Sequence, residues 1–204
     1  MTYLDEIVQA YLDRLYKPFY KAIQSSRAAG NNETYGEIFY YSAYRLLRVL
    51  QIDANDHFLD IGSGVGKLVL QTFLRTSAKL VTGIEINESR HTIATKILGA
   101  IKEELPNLFE NQRNLQLIHG DFLKIDLRDD ITLVYLCSTV FSFDLLAAMG
   151  QKINAMPHVR KVVSFRVVPH LDNFALARKL FLHCSWDRVP CYVYVRRLPE
   201  KKFN

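Results

Sequence analysis

The sequence predicts an α/β fold with a mostly parallel, seven-stranded sheet that closes with an antiparallel C-terminal hairpin. Two observations support this prediction. From His57 onward, short apolar runs alternate with helical stretches, and the runs are continuously apolar, which is typical of parallel strands covered on both faces. Near the end of the chain, two apolar runs are joined only by the short connection Asp187 to Pro190, which predicts a hairpin and therefore an antiparallel last strand.

The chain before this sheet is predicted to be helical. Apolar residues recur at steps of three and four from Leu4 to Phe19, which indicates a helix with one buried face. Residues 25–34 are polar and predict a loop, and a second helical pattern fills residues 37–50. The polar residues 53–56 end this helix, so the sheet begins after them.

The sheet elements follow in chain order. The predicted strands are Phe58–Ile61, Leu80–Ile86, Leu115–Ile118, Ile131–Leu136, Lys161–Val167, Leu180–Trp186 and Cys191–Arg196. Helical stretches lie between them at Lys67–Leu74, Glu88–Glu104 and Phe143–Ile153. Parallel strands that alternate with helices and end in a hairpin are the layout of the Rossmann-like class I methyltransferase fold.

Composition excludes several classes of protein. Of the 204 residues, 49% are hydrophobic and 23% are charged, which excludes an intrinsically disordered chain. No apolar run approaches the ~18 residues of a membrane-spanning helix, and the charged first residues do not fit a signal peptide, so we expect no membrane association. The 3 cysteines lack C-x-x-C spacing, so we expect neither a disulfide framework nor a metal site. This predicts the cytoplasm or the nucleus, although a secreted bacterial effector would have the same composition.

A glycine-rich turn is the sharpest functional signal. Residues 60–66 read Asp-Ile-Gly-Ser-Gly-Val-Gly and lie between a predicted strand and a predicted helix. Glycines let the backbone approach a ligand closely, and the helix N-terminus offers free N–H groups. The spacing G-x-G-x-G differs from that of pyrophosphate binders, and Asp60 in front of it suits a ligand with an amino group rather than a phosphate.

Acids also follow the next two predicted strands. Glu85 lies 25 residues after Asp60, where an acidic side chain can accept hydrogen bonds from both hydroxyls of a ribose. Asp121 can accept from an adenine amino group while Phe122 stacks on the ring. The carboxyl ends of parallel strands meet at the edge where open α/β sheets bind ligands. Amino acid, ribose and adenine together make up S-adenosyl-L-methionine, the cofactor that we predict.

Two further segments extend the pattern. Residues 32–37 read Asn-Glu-Thr-Tyr-Gly-Glu, and residues 185–190 read Ser-Trp-Asp-Arg-Val-Pro. Together with the glycine turn, these segments resemble the disruptor-of-telomeric-silencing (Dot-one-like) histone lysine methyltransferases. The resemblance spans about residues 32–196 and also includes Gly83-Ile84-Glu85, Gly120-Asp121-Phe122-Leu123 and Val162-Val163-Ser164.

The resemblance implies a role for each matched residue at the cofactor. The loop with Tyr35 and Glu37 is expected to close over the methionine end. We therefore divide the chain into a helical segment with this covering loop, residues 1–52, and a methyltransferase domain, residues 53–204, in a single globular unit. The residues implied to bind the cofactor are Tyr35, Glu37, Asp60, Gly62, Ser63, Gly64, Gly66, Glu85, Asp121, Phe122 and Cys137.

The acceptor side is implied to lie where the fourth strand ends. The family has Asn-Asn-Phe there, whereas residues 137–139 are Cys-Ser-Thr, whose hydroxyls can still hydrogen-bond with a shorter reach. The family's channel tyrosine falls at Val193, between two tyrosines. The residues predicted to be catalytic or to line the acceptor channel are Tyr35, Ser138, Phe141, Trp186 and Tyr192, with Tyr194 as a further wall residue.

These observations predict an S-adenosyl-L-methionine-dependent protein lysine N-methyltransferase, with a lysine of the histone core as the expected substrate. Two alternatives stay open: a methyltransferase of a non-histone lysine, an RNA or a small molecule, and a non-catalytic scaffold that binds the cofactor. The net charge of +5 permits weak nucleic-acid contact through the basic C-terminal pairs Arg196-Arg197 and Lys201-Lys202. We expect a monomer that acts on a histone, a nucleosome or another folded protein.

Overall fold

A seven-stranded sheet forms the centre of the protein. The computed structural model describes residues 2–28, 36–110 and 112–198. The strands are β1 (His57–Ile61), β2 (Leu80–Glu85), β3 (Asn114–His119), β4 (Leu133–Leu136), β5 (Lys161–Ser164), β6 (Phe174–His183) and β7 (Arg188–Arg196). They lie in the order β3-β2-β1-β4-β5-β7-β6, with β7 antiparallel to both neighbours and the other pairs parallel. The predicted fold is confirmed.

Helices precede the sheet and connect its parallel strands. They are α1 (Tyr3–Tyr16), α2 (Tyr20–Ala28), α3 (Tyr40–Leu50), α4 (Lys67–Arg75), α5 (Glu88–Glu104) and α6 (Phe143–Ala155). α2 continues to Ala28, into the stretch predicted as a loop. α3 begins three residues later than predicted, because residues 37–39 are extended and bond to the C-terminal hairpin.

The hairpin differs from the prediction in its length and its turn. β6 begins at Phe174 rather than Leu180, and residues 184–187 form the connection, so the predicted strand end at Trp186 was wrong. The first half of β6 begins with the apolar run Phe-Ala-Leu-Ala but is mostly exposed, and the sequence analysis missed it. Pro190 lies within β7 and not in the connection. It is tolerated there because β5 pairs only with Tyr192–Val195, so no bond from residue 190 to β5 is lost.

The first helix is anchored to both ends of α4. The hydroxyl of Tyr16 donates to the carbonyl oxygen of Val65, which precedes α4, over 2.7 Å. The fully buried Asp5 forms an ion pair with Arg75 at the last residue of α4, and it also accepts from the backbone N–H of Thr2 over 2.7 Å. These contacts join the helical segment to the core of the sheet, while the division at residue 52 stays a prediction. No helix in the described ranges is long and apolar enough to cross a membrane.

A buried histidine holds the amino end of β1. The ring of His57 contacts Asp130 through Nδ1 at 3.0 Å and the hydroxyl of Thr82 through Nε2 at 2.8 Å. Burial lowers the pKa of His57 below its ordinary value of 6.5, even though Asp130 acts in the opposite direction. The folded protein therefore holds this imidazole neutral at pH values where the unfolded chain binds a proton.

We expect stability to fall as the pH falls through about 6.5, because protonation then favours the unfolded chain. One such group changes the free energy of unfolding by up to about 1.4 kcal/mol per pH unit in that window. Urea titrations between pH 5 and 8 should show a shallower pH dependence for His57→Gln than for the unaltered protein. The control is His158→Gln at an exposed histidine. Equal slopes in both variants would contradict the assignment.

Candidate active site

The glycine turn brings backbone N–H groups to the carboxyl edge of the sheet. The N–H groups of Gly62 and Ser63 both donate to the carbonyl oxygen of Ile84, over 2.8 and 2.9 Å. Gly62, Gly64 and Gly66 have φ angles of +76°, +58° and +82°, which favour glycine, and Gly66 caps α4. The side chain of Ser63 packs against the backbone of β2 at Gly83. The turn therefore follows β2 closely and presents the N-terminus of α4.

Glu85 joins this turn to the end of β2. Its Oε2 accepts from the N–H of Gly64 over 2.7 Å, and its Oε1 accepts from the N–H of Asn87 over 2.8 Å. The residue is buried. Each oxygen keeps a second lone pair, so the carboxylate can accept further hydrogen bonds at the edge of the sheet.

Asp60 is a buried acid without a complete set of partners. It is 2% exposed, and its Oδ1 has no hydrogen-bond partner among the described residues. Burial, and then the neighbouring carboxylate of Glu85, raise the pKa of Asp60 well above its ordinary value. Asp60 lines a small cavity with Glu37, Ser63, Lys67 and Cys137. A cationic group in this cavity would complete its interactions and lower its pKa.

Glu37 and Lys67 form an ion pair on the other wall of the same cavity. The Nζ of Lys67 donates to Oε2 of Glu37 over 2.8 Å. Lys67 is the first residue of α4, and its ammonium also lies 5.1 Å from the ring centroid of Tyr16. The sequence predicted a role for Glu37 and none for Lys67. The pair presents one negative and one positive charge, which match the ammonium and the carboxylate of an amino acid.

The segment after Tyr35 pairs with the C-terminal hairpin. Tyr35 itself, a predicted cofactor and channel residue, lies outside the described residues. Ser185 donates its N–H to the carbonyl oxygen of Glu37 over 2.8 Å, and its Oγ accepts the N–H of Glu37 over 3.0 Å. Gly36 abuts the indole of Trp186 so closely that an added Cβ would overlap its Cε3 and Cζ3 atoms. Residues 36–39 and 183–186 therefore meet, although nearly the whole chain separates them in sequence.

Asp121 and Phe122 follow β3 as predicted. Oδ1 of Asp121 accepts the N–H of Leu123 over 3.0 Å, and the side chain is only partly buried. Phe122 is buried in the core between the sheet and α6, with the ammonium of Lys152 4.9 Å from its ring centroid. Contact of these two residues with an adenine stays a prediction.

The residues after β4 divide between the cavity and the core. Cys137 lines the cavity, and burial raises the pKa of its thiol to about 12, which disfavours the nucleophilic thiolate at neutral pH. Ser138 is fully buried. Its Oγ lies 2.6 Å from Oγ of Ser164 and accepts the N–H of Arg166 over 3.0 Å. The short 3₁₀ turn that begins at Ser138 directs this hydroxyl toward β5, where Ser164 and Arg166 are its partners, and a catalytic role of Ser138 stays a prediction.

Aromatic rings form a continuous wall beside the cavity. Tyr135, Phe165 and Trp186 contact one another edge to face, with centroid distances of 6.0 and 6.1 Å along the row. Trp186 is 39% exposed, and Tyr135 lines the cavity opposite Asp60. The sequence analysis missed Tyr135 and Phe165. Their signal is weak, because an aromatic residue in a buried strand usually belongs to the core.

Two other predicted channel residues lie at different places. The ring of Phe141 packs over the glycine turn, since an added Cβ at Gly62 would lie 3.3 Å from its Cζ. Tyr192 pairs with Ser164 in the sheet, and its ring lies 5.5 Å from the ammonium of Lys179. Among the described rings, none joins Tyr192 to Trp186, so Tyr192 is not part of the aromatic wall.

Comparisons with known proteins identify the family of this chain. A family profile described as "Histone methylation protein DOT1" matches residues 19–178. An H3 lysine-79 specific histone-lysine N-methyltransferase of Caenorhabditis elegans is 30% identical over 127 residues, which cover 60% of this chain and 13% of that protein. A protein-lysine N-methyltransferase of Saccharolobus islandicus is 23% identical over 128 residues, which cover 62% of this chain and 68% of that protein.

The fold comparison gives the same class. Magnesium protoporphyrin IX methyltransferase from Synechocystis, solved with bound S-adenosylhomocysteine, superposes with a TM-score of 0.59 at 13% identity, covering 95% of this chain and 100% of that one. The predicted family and the predicted class I methyltransferase fold are confirmed. The family depends on S-adenosyl-L-methionine, which confirms the predicted cofactor. With the family profile matched over more than half of its length, this chain belongs to the DOT1 family of histone methylation proteins.

Proposed function

We propose that this chain transfers the methyl group of S-adenosyl-L-methionine to a lysine side chain of a folded protein, with a lysine of the histone core as the substrate. The observation that carries the proposal is the unpartnered Oδ1 of buried Asp60, in a cavity that opens beside the wall of Tyr135, Phe165 and Trp186. An anionic pocket for the cofactor thus adjoins an aromatic surface suited to an alkyl chain. The two sequence relatives named above are lysine N-methyltransferases, which supports the same acceptor here.

The residues at the sheet edge fit the cofactor part by part. Asp60 and the Glu37–Lys67 pair would hold the amino-acid end, the free lone pairs of Glu85 would accept the ribose hydroxyls, and Asp121 would accept from the adenine amino group. When bound, the cofactor supplies an electrophilic methyl group on a sulfonium. Affinity measurements on variants of these residues can test which part of the cofactor each residue binds.

The aromatic wall would prepare the lysine for attack. A lysine amine is protonated in water, with an ordinary pKa of about 10.4. Removal from water beside Trp186 disfavours the ammonium, and so does a nearby positive charge, so the amine loses its proton before it attacks. Orientation of the amine in line with the methyl group would supply much of the acceleration. No side chain here needs to act as a general base.

The Glu37–Lys67 pair gives a prediction with an internal control. Lys67→Met should weaken binding of S-adenosylhomocysteine about tenfold, because a charge-assisted bond to its carboxylate is lost. Methylthioadenosine, which lacks the amino-acid end, should bind both proteins equally in calorimetric titrations. If both ligands lost affinity equally, Lys67 would not bind the amino-acid end of the cofactor.

The proposed activity is tested by mass spectrometry after reaction with labelled cofactor. The chain is incubated with nucleosomes, with free histones and with lysate that contains RNA and metabolites. We expect methyl groups on lysine, with activity that falls as salt rises because of the net charge of +5. Asp60→Asn, which keeps the shape of the side chain, should abolish the signal. Methyl groups only on RNA or small molecules would overturn the lysine acceptor, and cofactor binding without any transfer would indicate the scaffold.

We further propose that the chain acts on its protein substrate as a monomer, in the nucleus or the cytoplasm. Size-exclusion chromatography with light scattering should return one mass, that of the 23.6 kDa chain.

A further inference from the structure

The sheet face formed by β6 and β7 carries exposed cations on aromatic rings. Lys179 and Tyr192 are paired in the register, as are Phe181 and Pro190, so these four side chains share one face of the hairpin. The Nζ of Lys179 lies 5.6 Å from the centroid of Phe181 and 5.5 Å from that of Tyr192. The guanidinium carbon of Arg188 lies 5.3 Å from the centroid of Phe181. We call these residues, Lys179, Phe181, Arg188, Pro190 and Tyr192, the hairpin face.

The hairpin face is open to solvent and is not neutralised. Phe181 is 46% exposed, and Lys179 and Arg188 are exposed as well. In the part of the chain that the structure describes, neither cation forms an ion pair with a carboxylate. The rings hold both cations in place over apolar surface, which reduces the side-chain entropy lost when an anion binds.

The hairpin face lies next to the acceptor side. Arg188 is two residues from Trp186 across the connection, and Tyr192 is the register partner of Ser164 at the end of β5. Tyr192 packs on the opposite face of the sheet from Tyr135 and Phe165, so a chain that lies along Trp186 reaches the hairpin face by crossing the turn of residues 184–187. β6 is also the edge strand of the sheet. The N–H and C=O of His183 bond to Ser42 and Phe39, and the outer backbone groups of β6 before His183 are available to an extended segment.

We propose that the hairpin face binds an acidic, extended segment of the protein substrate beside the acceptor lysine. Charge complementarity favours carboxylates, because Lys179 and Arg188 have no acidic partner among the residues that the structure describes. The edge position of β6 favours a polypeptide over a nucleic acid, because its outer backbone groups can pair with an extended peptide. The assignment of the segment to the substrate rests on the proposed function, whereas the binding itself does not.

The test is fluorescence anisotropy with a labelled, Glu-rich peptide that contains no lysine, in the absence of cofactor. Lys179→Glu combined with Arg188→Glu should weaken binding at least about tenfold. The matched control, Lys96→Glu with Arg45→Glu, reverses two exposed cations on helices and changes the net charge equally, so it should bind like the unaltered protein. Lys179→Gln with Arg188→Gln should give an intermediate loss, and thermal unfolding checks that each variant is folded.

Three outcomes would overturn the proposal. The first is that the unaltered protein does not bind the peptide. The second is that the hairpin-face variant and the control variant weaken binding equally. The third is that a single-stranded oligonucleotide, and not the peptide, binds in a way that depends on Lys179 and Arg188. Because neither lysine nor cofactor is present, a failure here is distinct from a failure of lysine methylation. If methylation occurs while peptide binding is absent, only the docking proposal fails.

Discussion

Glu85→Gln should lower the affinity for S-adenosylmethionine and S-adenosylhomocysteine by roughly tenfold to a hundredfold, or about 1.5–3 kcal/mol. Both oxygens of Glu85 already accept a backbone N–H, from Gly64 and from Asn87. An amide would turn one of these acceptors into a donor that faces another donor. The ribose would lose one acceptor, and the glycine turn would lose one of its ties to β2.

Two comparisons separate these effects in the calorimetric titration. Asp121→Asn alters a partly exposed acid that we expect to contact only the adenine, so this variant should lose less cofactor affinity than Glu85→Gln. The free energy of unfolding of Glu85→Gln, measured without ligand, gives the cost to the turn alone. Unchanged affinity in Glu85→Gln would remove Glu85 from the ribose site.

Gly36→Ala should cost about 1–3 kcal/mol of stability and reduce turnover sharply, because its Cβ would overlap the rigid indole of Trp186. Either the indole or residues 36–39 must move, and both border the site. Cofactor affinity should change less than turnover, since we propose that Trp186 lines the acceptor side.

A double-mutant cycle tests this contact directly. In a Trp186→Ala background the ring is absent, so adding Gly36→Ala should cost almost nothing further. Trp186→Ala alone should lower kcat more than it weakens cofactor binding. If Gly36→Ala costs the same with and without the indole, the substitution acts on the backbone of residue 36 and not through Trp186.

The cofactor edge could be predicted from sequence because its signals are local. Asp60 and Glu85 lie at the carboxyl ends of apolar strands and Asp121 follows the next one, and neighbouring parallel strands end at one edge. The glycine turn is likewise written in consecutive residues. Neither prediction requires knowledge of which strands are neighbours.

The acceptor side could not be predicted in the same way, because tertiary contacts determine it. The packing of Gly36 on Trp186 depends on the hairpin reaching back to the segment before α3. The burial of the Ser138 hydroxyl depends on the turn after β4 and on Ser164 in the adjacent strand. In the sequence, Lys67 is an ordinary first residue of a helix, and only the tertiary structure brings it into contact with Glu37.

The position of β7 between β5 and β6 has a consequence for synthesis on the ribosome. β1 to β4, with the glycine turn and Asp60, Glu85 and Asp121, can assemble while the hairpin is still being translated, because these strands pair with one another in the order β3-β2-β1-β4. β5 keeps one edge unpaired until residues 188–196 emerge, and Trp186 has no fixed place until then. A nascent chain arrested before β7 would thus hold a formed glycine turn with its cluster of acids and an exposed strand edge, a combination that favours aggregation.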